Sequence, residues 1–382
     1  MDKMTQTSLL APLTVIGLMS GTSADGIDAC IISTDGIGAT RTGIRGSFSY
    51  RPDIQRAIVA ARSDPSSWLA EPNRREALIN AITQDHASAV LALAAETDMP
   101  IDLIGFHGQT VYHNPAARRT IQLGNGRMLA QMTGIDTIYD FRHADMEAGG
   151  EGAPLAPIYH QMLATEAGLG LPVLFLNLGG VANVSLIEQD RLTGCDIGPA
   201  NGLIDEYCQI RLGLSFDKDG ARAATGTIDN SFVEHALQHP FFSKQGPRSL
   251  DRATFADLLD DPRITTAPAE DALASLTEVT ARAIQLYIKL SGATPTQLIL
   301  SGGGTKNSYL RRRIEAHLPA GITCITADEA GFDSDMMEAE LIAYLAARKC
   351  ANLPATFPQT TRASSPQICG VIAKAPQPQD SV

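Results

Sequence analysis

The chain of 382 residues is short of positive charge, of cysteine pairs and of long apolar runs, and each shortage removes a class of function. Thirty Lys and Arg face 42 Asp and Glu, a formal net charge of −12. Nucleic acid and anionic membranes call for a broad basic surface, so neither is expected as a partner. A nucleotide stays open, because backbone N–H groups hold a phosphate locally whatever the net charge. The six cysteines, Cys30, Cys195, Cys208, Cys324, Cys350 and Cys369, form no CxxC pair and keep no regular spacing. A buried, reduced set in a cytoplasmic protein is the expectation. No segment reaches the ~18 apolar residues of a membrane span. The opening MDKMTQTSLLAPL lacks the apolar stretch of a signal peptide.

What is present is ordinary globular material with a surplus of glycine. Hydrophobic residues make up 44% and charged residues 19%, as in proteins with packed cores, and the length suffices for two domains. The 33 glycines gather in short clusters between apolar runs, which directs attention to loops. Residues 13–34 read as strand, glycine turn and strand: LTVIGL, MSGTSADG, IDACIIST. Residues 173–187 repeat this plan as VLFLNL, GGVAN and VSLI, suggesting a duplicated architecture with one hairpin opening each lobe. LIGFHGQT (103–110) predicts an apolar strand running into a polar loop, and LILSGGGTKN (298–307) a strand, a glycine loop and a helix from Ser308. Apolar residues at helical spacing predict helices over 74–97, 273–290 and 335–349. The tail from Ala351 is rich in Pro and Thr, and its last dozen residues are expected to fray.

Each glycine loop alone says little. GTSADGID (21–28) offers N–H donors, two hydroxyls and two carboxylates, and reads as a plain hairpin turn as readily as a phosphate site. LGGVAN (178–183) is a turn by default, and SGGGTKN (301–307) matches neither GxxxxGK[ST] nor GxGxxG. Together the three could aim N–H groups at one polyphosphate, with a helix dipole behind the third. Asp25 and Asp28 are poor phosphate ligands but suit Mg2+ or its waters, with Asp25 the metal candidate through water.

From about Leu13 to Ile372 the chain resembles the anhydro-N-acetylmuramic acid kinase family of the actin/hexokinase/Hsp70-like ATPase superfamily. The segments that carry the resemblance are IGLMSGTSADGID, FHGQTVYHNP, DFRHADMEAGGEGAPLAP, LNLGGVANVSL, CDIGPANGLID, SGGGTKN and DSDMMEAELIAYLAAR, in that order. It implies an α/β, two-lobed actin/hexokinase/Hsp70-like (ribonuclease H-like) ATPase fold with an interlobe cleft; closure of the lobes on their ligands is expected from the duplicated hairpins. Lobe I would cover 1–140, rejoined by 345–382, and lobe II 141–345. It also implies ATP and Mg2+ as cofactors, a cytoplasmic homodimer, and one reaction. Water opens the C1–O6 bridge of 1,6-anhydro-N-acetylmuramic acid while O6 takes the γ-phosphoryl group, giving N-acetylmuramic acid 6-phosphate for cell-wall recycling.

Water is a weak nucleophile unless a carboxylate takes its proton as the new C–O bond forms. The family's base is the Asp of its DTGP motif, which falls on Asp196 in CDIGPAN. The plainer reading has Asp196 capping a helix that begins near Pro199. Ile197 stands where the family usually has Thr. The resemblance places the phosphates and metal against Gly21, Thr22, Ser23, Ala24, Asp25, Gly26, Ile27 and Asp28 in one lobe, and against Gly179, Gly180 and Asn183 in the other. Gly302, Gly303 and Gly304 lack Cβ atoms and would let backbone approach the adenosine. Asn307 either joins them or caps the next helix.

Around the sugar, His107 and Gln109 would meet hydroxyl or acetamido groups. Arg142 would pair with the lactyl carboxylate, or else with Asp145 at the surface. Glu338 would touch substrate, or else sit at N3 of a capping-box-like Asp335-Met-Met-Glu338. GPRSLDRATF (246–255) follows the family's PKSTGRE-like stretch only in part, with Arg248 for Lys and Arg252 in register. TTRA (360–363) replaces a TGA-like element. Two other readings remain, another small-molecule kinase of the superfamily and a chaperone-like ATPase. The polar clusters HGQT and DFRHADMEAGG between apolar strands favour a small polar ligand.

Overall fold

An apolar run without polar alternation has to be covered on both faces. LTVIGLMS meets that need as β1 (Leu13–Ser20), in the middle of a seven-stranded sheet. The computed structural model describes residues 11–21, 24–244, 246–248, 250 and 252–376, the side chains at 252 and 253 excepted. The chain divides into two compact units, one running to Met162 and resuming at Asp335, the other Leu163–Ser334.

In the first unit β1 pairs antiparallel with β2 (Gly26–Thr34), which pairs antiparallel with β3 (Ala39–Ser49). On its other side β1 runs parallel to β4 (Leu103–Asn114), which carries β5 (Arg119–Leu123) as a hairpin and pairs in parallel with β6 (Thr137–Tyr139). The helix Met337–Cys350 lies against β1, β2 and β4. A Cβ at Gly17 would collide with the Ala339 carbonyl oxygen, and one at Gly105 would stand 2.5 Å from the Ile342 oxygen. Glycine at those two positions lets helix and sheet meet. Helix Pro72–Ala94 contributes Ile82, Val90 and Leu93 to the core that also holds Ile16 and Leu18.

The second unit repeats the plan. β7 (Val173–Leu178) and β8 (Val181–Ile187) form the hairpin, β9 (Leu192–Pro199) is antiparallel beyond β8, and β10 (Gln297–Ser301) and β11 (Thr323–Thr326) add in parallel on the other side. In both units the third, second, first, fourth and fifth principal strands lie side by side, β3-β2-β1-β4-β6 in one and β9-β8-β7-β10-β11 in the other. The repeated strand order establishes the duplication that two hairpins only suggested. Helix Ala269–Ser291 packs on β9 and supplies Ala281 and Ile284 to the core with Leu176, Val184 and Ile197.

Several expectations change. HGQT is strand, not loop: β4 continues to Asn114, bent at Gly108 (φ +74) where the register shifts. The last dozen residues are not all frayed, because Val371–Ala373 form β12, antiparallel to β6; residues 377–382 lie outside the described residues. The compact units break at 162 and 335, where 140 and 345 were expected. None of the six cysteines is in a disulfide, with Cys324 half-buried and Cys350 exposed rather than buried.

Candidate functional site

In the first unit the polar residues gather around the β1–β2 turn and the start of helix Met337–Cys350. Thr22 and Ser23 lie outside the described residues. Ala24 is fully buried with φ +57, and its N–H donates to the Gly21 oxygen at 3.2 Å. A left-handed alanine costs roughly 1–2 kcal/mol, a cost that the buried surroundings of Ala24 offset. Beneath it Ser20 Oγ lies 2.9 Å from Tyr50 Oη and 3.0 Å from His86 Nε2. His86 Nδ1–H donates to the Ile82 carbonyl at 2.8 Å, so Ser20 donates to Nε2 and Tyr50 to Ser20. Burial pushes the His86 pKa down to about 4, which keeps the ring an acceptor. Gln109 Nε2 donates to the Gly21 oxygen at 2.9 Å, so this side chain braces the turn. Asp25 is exposed on the turn. Ile27 is 1% exposed in the core, which leaves it only backbone to offer, and a Cβ at Gly26 would collide with the Phe48 oxygen across β3.

Asp28, Glu338, Arg142 and His107 form one electrostatic group. Asp28 is half-buried and accepts from Ser47 Oγ at 2.6 Å. Burial raises its pKa, the Ser47 hydrogen bond opposes that, and Asp25 and Asp335 add to the rise. Glu338 is raised by desolvation and then by the charge of Asp28, against the pull of Arg142. It occupies the second position of its helix, behind an N-cap of Met336 with no side-chain cap, so the capping box does not form. Arg142 does not pair with Asp145. It donates from Nε (3.2 Å) and Nη2 (3.0 Å) to His107 Nε2, and from Nη1 to the Gly152 oxygen at 2.7 Å. Burial lowers its pKa to about 10 while Glu338 and Asp145 oppose. His107 donates from Nδ1 to the Gly108 oxygen at 2.8 Å. Both ring nitrogens are therefore engaged within the protein.

Asp145 is fully buried and organises the loop after Arg142. It accepts from Gly152 N–H at 2.7 Å, from Thr361 Oγ1 at 2.6 Å and from Thr356 Oγ1. This accounts for TTRA. Thr361 ties the C-terminal segment to Asp145, Arg362 takes the left-handed conformation (φ +66) that ends helix Pro358–Thr361, and its Nη1 lies 3.3 Å from Glu151 Oε1.

In the second unit the strand register sets a polar row. Asn177 of β7 faces Asn183 of β8, which faces Asp196 of β9, and directly opposed residues share a sheet face. Asp196 is half-buried, and Leu250 N–H donates to its Oδ2 at 2.7 Å. The helix that follows is Asn201–Tyr207 with Ala200 at its N-cap, so Asp196 caps nothing. Its backbone N–H donates to the Arg248 oxygen, and Arg248 Nε donates back to the Asp196 oxygen at 3.0 Å. Arg248 is itself buried, stacks 4.7 Å over Phe241 and donates to the Lys244 oxygen, which holds Arg248 against β9. The side chain of Arg252 lies outside the described residues. Ile197 is fully buried in the core, so a hydroxyl there would not reach the face of Asp196.

The glycine loops divide by what a Cβ would meet. At Gly302 (φ +80) it would collide with Asn177 Oδ1, and at Gly304 it would lie 2.5 Å from Leu178 Cβ. Those two glycines serve packing against the β7–β8 hairpin. At Gly303 nothing lies within 4 Å, at Gly180 the nearest atom is 4.0 Å away, and at Gly179 3.6 Å. Asn307 caps helix Ser308–His317, its Oδ1 accepting from Leu310 N–H at 2.9 Å. Asp219 Oδ1 accepts from Ser308 N–H at 3.0 Å, so this helix end is already answered by an anion and adds little to a phosphate site.

Sequence reading missed Asn177, Arg248, Asp145 and Asp219 as organisers. A lone Asn in VLFLNL is the one signal that strand alternation could have exposed.

Two sheets of one strand order, each opened by a glycine hairpin, make a duplicated α/β fold of two units. Within that class the chain belongs to the anhydro-N-acetylmuramic acid kinase family, whose model matches residues 13–375. It is 41% identical over 374 residues to the anhydro-N-acetylmuramic acid kinase of Rhodopseudomonas palustris (strain HaA2), covering 95% of this chain and 99% of that one. To that of Bradyrhizobium diazoefficiens it is 39% identical over 370 residues, covering 95% and 99%. Among solved structures, component A of the (R)-2-hydroxyglutaryl-CoA dehydratase of Acidaminococcus fermentans is 14% identical with a TM-score of 0.44, covering 89% of this chain and 99% of that one.

Proposed function

We infer that the chain is an ATP-dependent kinase that opens the bridge of 1,6-anhydro-N-acetylmuramic acid with water and phosphorylates the freed O6. The products are N-acetylmuramic acid 6-phosphate and ADP, in cell-wall sugar recycling. Family membership over residues 13–375 carries this reading.

Asp196 takes the proton of the attacking water as its oxygen bonds to C1. Leu250 N–H, holding Oδ2 at 2.7 Å, fixes the orientation of that carboxylate. In the second unit Gly179, Gly180 and Gly303 leave backbone open to phosphate and ribose oxygens, with Asn183 beside Asp196. In the first, the β1–β2 turn that carries Gly21 and Asp25 is the counterpart. Arg142 meets the lactyl carboxylate and Glu338 a sugar hydroxyl. Among the described residues no three His, Cys, Asp or Glu side chains gather as a metal cage. That fits Mg2+ carried on nucleotide phosphates, with Asp25 reaching it through water; the ion would neutralise phosphate charge.

The same reading makes the protein a cytoplasmic homodimer, which light scattering of the purified chain tests for assembly. Among the described residues no helix is long and apolar enough to cross a membrane.

Mass spectrometry of the product made from anhydro-sugar, ATP and ¹⁸O-water tests the chemistry. Label at C1 with one ADP per product is expected. Unlabelled product, or equal turnover of open N-acetylmuramic acid, would mean an ordinary sugar kinase.

A further inference from the structure

We propose that His107 is a positioning residue: its imidazole fixes the Arg142 guanidinium, and so sets a preference for an acceptor sugar that carries a carboxylate over the same sugar without one. The proposal rests on the reading that Arg142 meets the lactyl group.

His107 stands on β4, 4% exposed, with Gly108 next to it at φ +74. Its Nδ1–H is committed to the Gly108 oxygen at 2.8 Å, so the lone pair of Nε2 faces Arg142. That lone pair receives Nε and Nη2 at 3.2 and 3.0 Å. Burial and the charge of Arg142 push the ring's pKa down to about 3, so it is an acceptor at any physiological pH. On the far side Nη1 donates to the Gly152 oxygen, and Gly152 N–H is anchored on buried Asp145. A long, flexible side chain is thus held between a strand and a loop.

A guanidinium has five N–H donors, and three are engaged here. One N–H remains on each terminal nitrogen, and a guanidinium held in place can offer such donors to a carboxylate. Without the His107 acceptor the guanidinium can turn about its last torsions and lose that geometry. A sugar with no carboxylate would not register the change.

The test uses the full chain with ATP and two acceptors, 1,6-anhydro-N-acetylmuramic acid and 1,6-anhydro-N-acetylglucosamine, which lacks the lactyl ether. The readout is the ratio of their kcat/KM values. His107→Ala should shrink that ratio by about tenfold or more, chiefly through KM for the acidic sugar, with KM for ATP unmoved. His107→Gln, whose amide oxygen falls near the place of Nε2, should keep most of the ratio. The double variant with Arg142→Ala should be no worse than Arg142→Ala alone. Equal losses on both acceptors, or effects that multiply in the double variant, overturn the positioning role. A wild-type chain that turns over both sugars equally overturns the lactyl reading, and the proposal with it. No turnover of either bridged sugar would instead sink the proposed reaction. Should His107→Ala not fold, His107→Asn, whose amide ends short of Nε2, replaces it.

Discussion

Successive side chains of a strand point to opposite faces, so Asp196 and Ile197 answer to different neighbours. Asp196 joins the polar row with Asn183, while Ile197 is fully buried among Leu176, Val184 and Ile284. Asp196→Asn should cut kcat by ~10²-fold or more, with ATP affinity and melting temperature held. Equal loss of nucleotide binding would make Asp196 a structural residue. Ile197→Thr, which restores the family's usual residue, should leave kcat alone and cost about 1–3 kcal/mol in urea unfolding, because its hydroxyl enters an apolar core. A gain in kcat would show that the hydroxyl reaches the reacting groups after all. Asp196 as a candidate was legible from its motif. Its partners Leu250 and Arg248 were not, since they return from more than fifty residues away and no local pattern announces them.

Secondary structure was legible wherever periodicity and glycine agreed. The helices expected at 273–290 and 335–349 appear as Ala269–Ser291 and Met337–Cys350, and both hairpins fall where apolar runs flank a glycine turn. HGQT misled because polar letters read as loop, although β5 supplies a pairing partner that keeps them in a strand. Within the glycine loop 301–307, identical residues have different reasons to be glycine. Gly302→Ala forces a left-handed alanine into Asn177 and should destabilise the second unit, seen as a lower melting temperature without nucleotide. Gly303→Ala has open space and should fold as well as wild type, yet raise KM for ATP. If Gly303→Ala leaves KM unchanged, the nucleotide does not approach the chain there.

At the scale of the whole molecule, long-range partners decide which segment belongs to which unit. Residues 141–162 stay with the first unit because Asp145 binds Thr361, and because Tyr159 donates to Glu340 at 2.6 Å, which in turn holds Arg41. Residues from Asp335 join it because helix Met337–Cys350 meets β1 in its first turn, at Ala339. No composition shift marks either break, so sequence reading placed both inside the first unit.

The same unit holds His86, His107, His113 and His160, whose pKa values burial depresses to about 4, 3, 4 and 3. Unfolded, each titrates near about 6.5, so between that value and their folded values the unfolded chain binds more protons. Their contribution to stability is therefore complete above pH ~6.5 and is lost as pH falls toward 4, at up to about 1.4 kcal/mol per pH unit for each ring. Trp68, the single tryptophan, is buried in this unit's core and reports its unfolding by fluorescence. Urea midpoints for Trp68 should fall steeply from pH 6.5 to 4.5, above the range where most carboxylates protonate. Hydrogen exchange should speed up in β1 to β4 before β7 to β10. If β7 to β10 open first, or if the Trp68 midpoint is flat across that window, the buried rings do not govern acid stability.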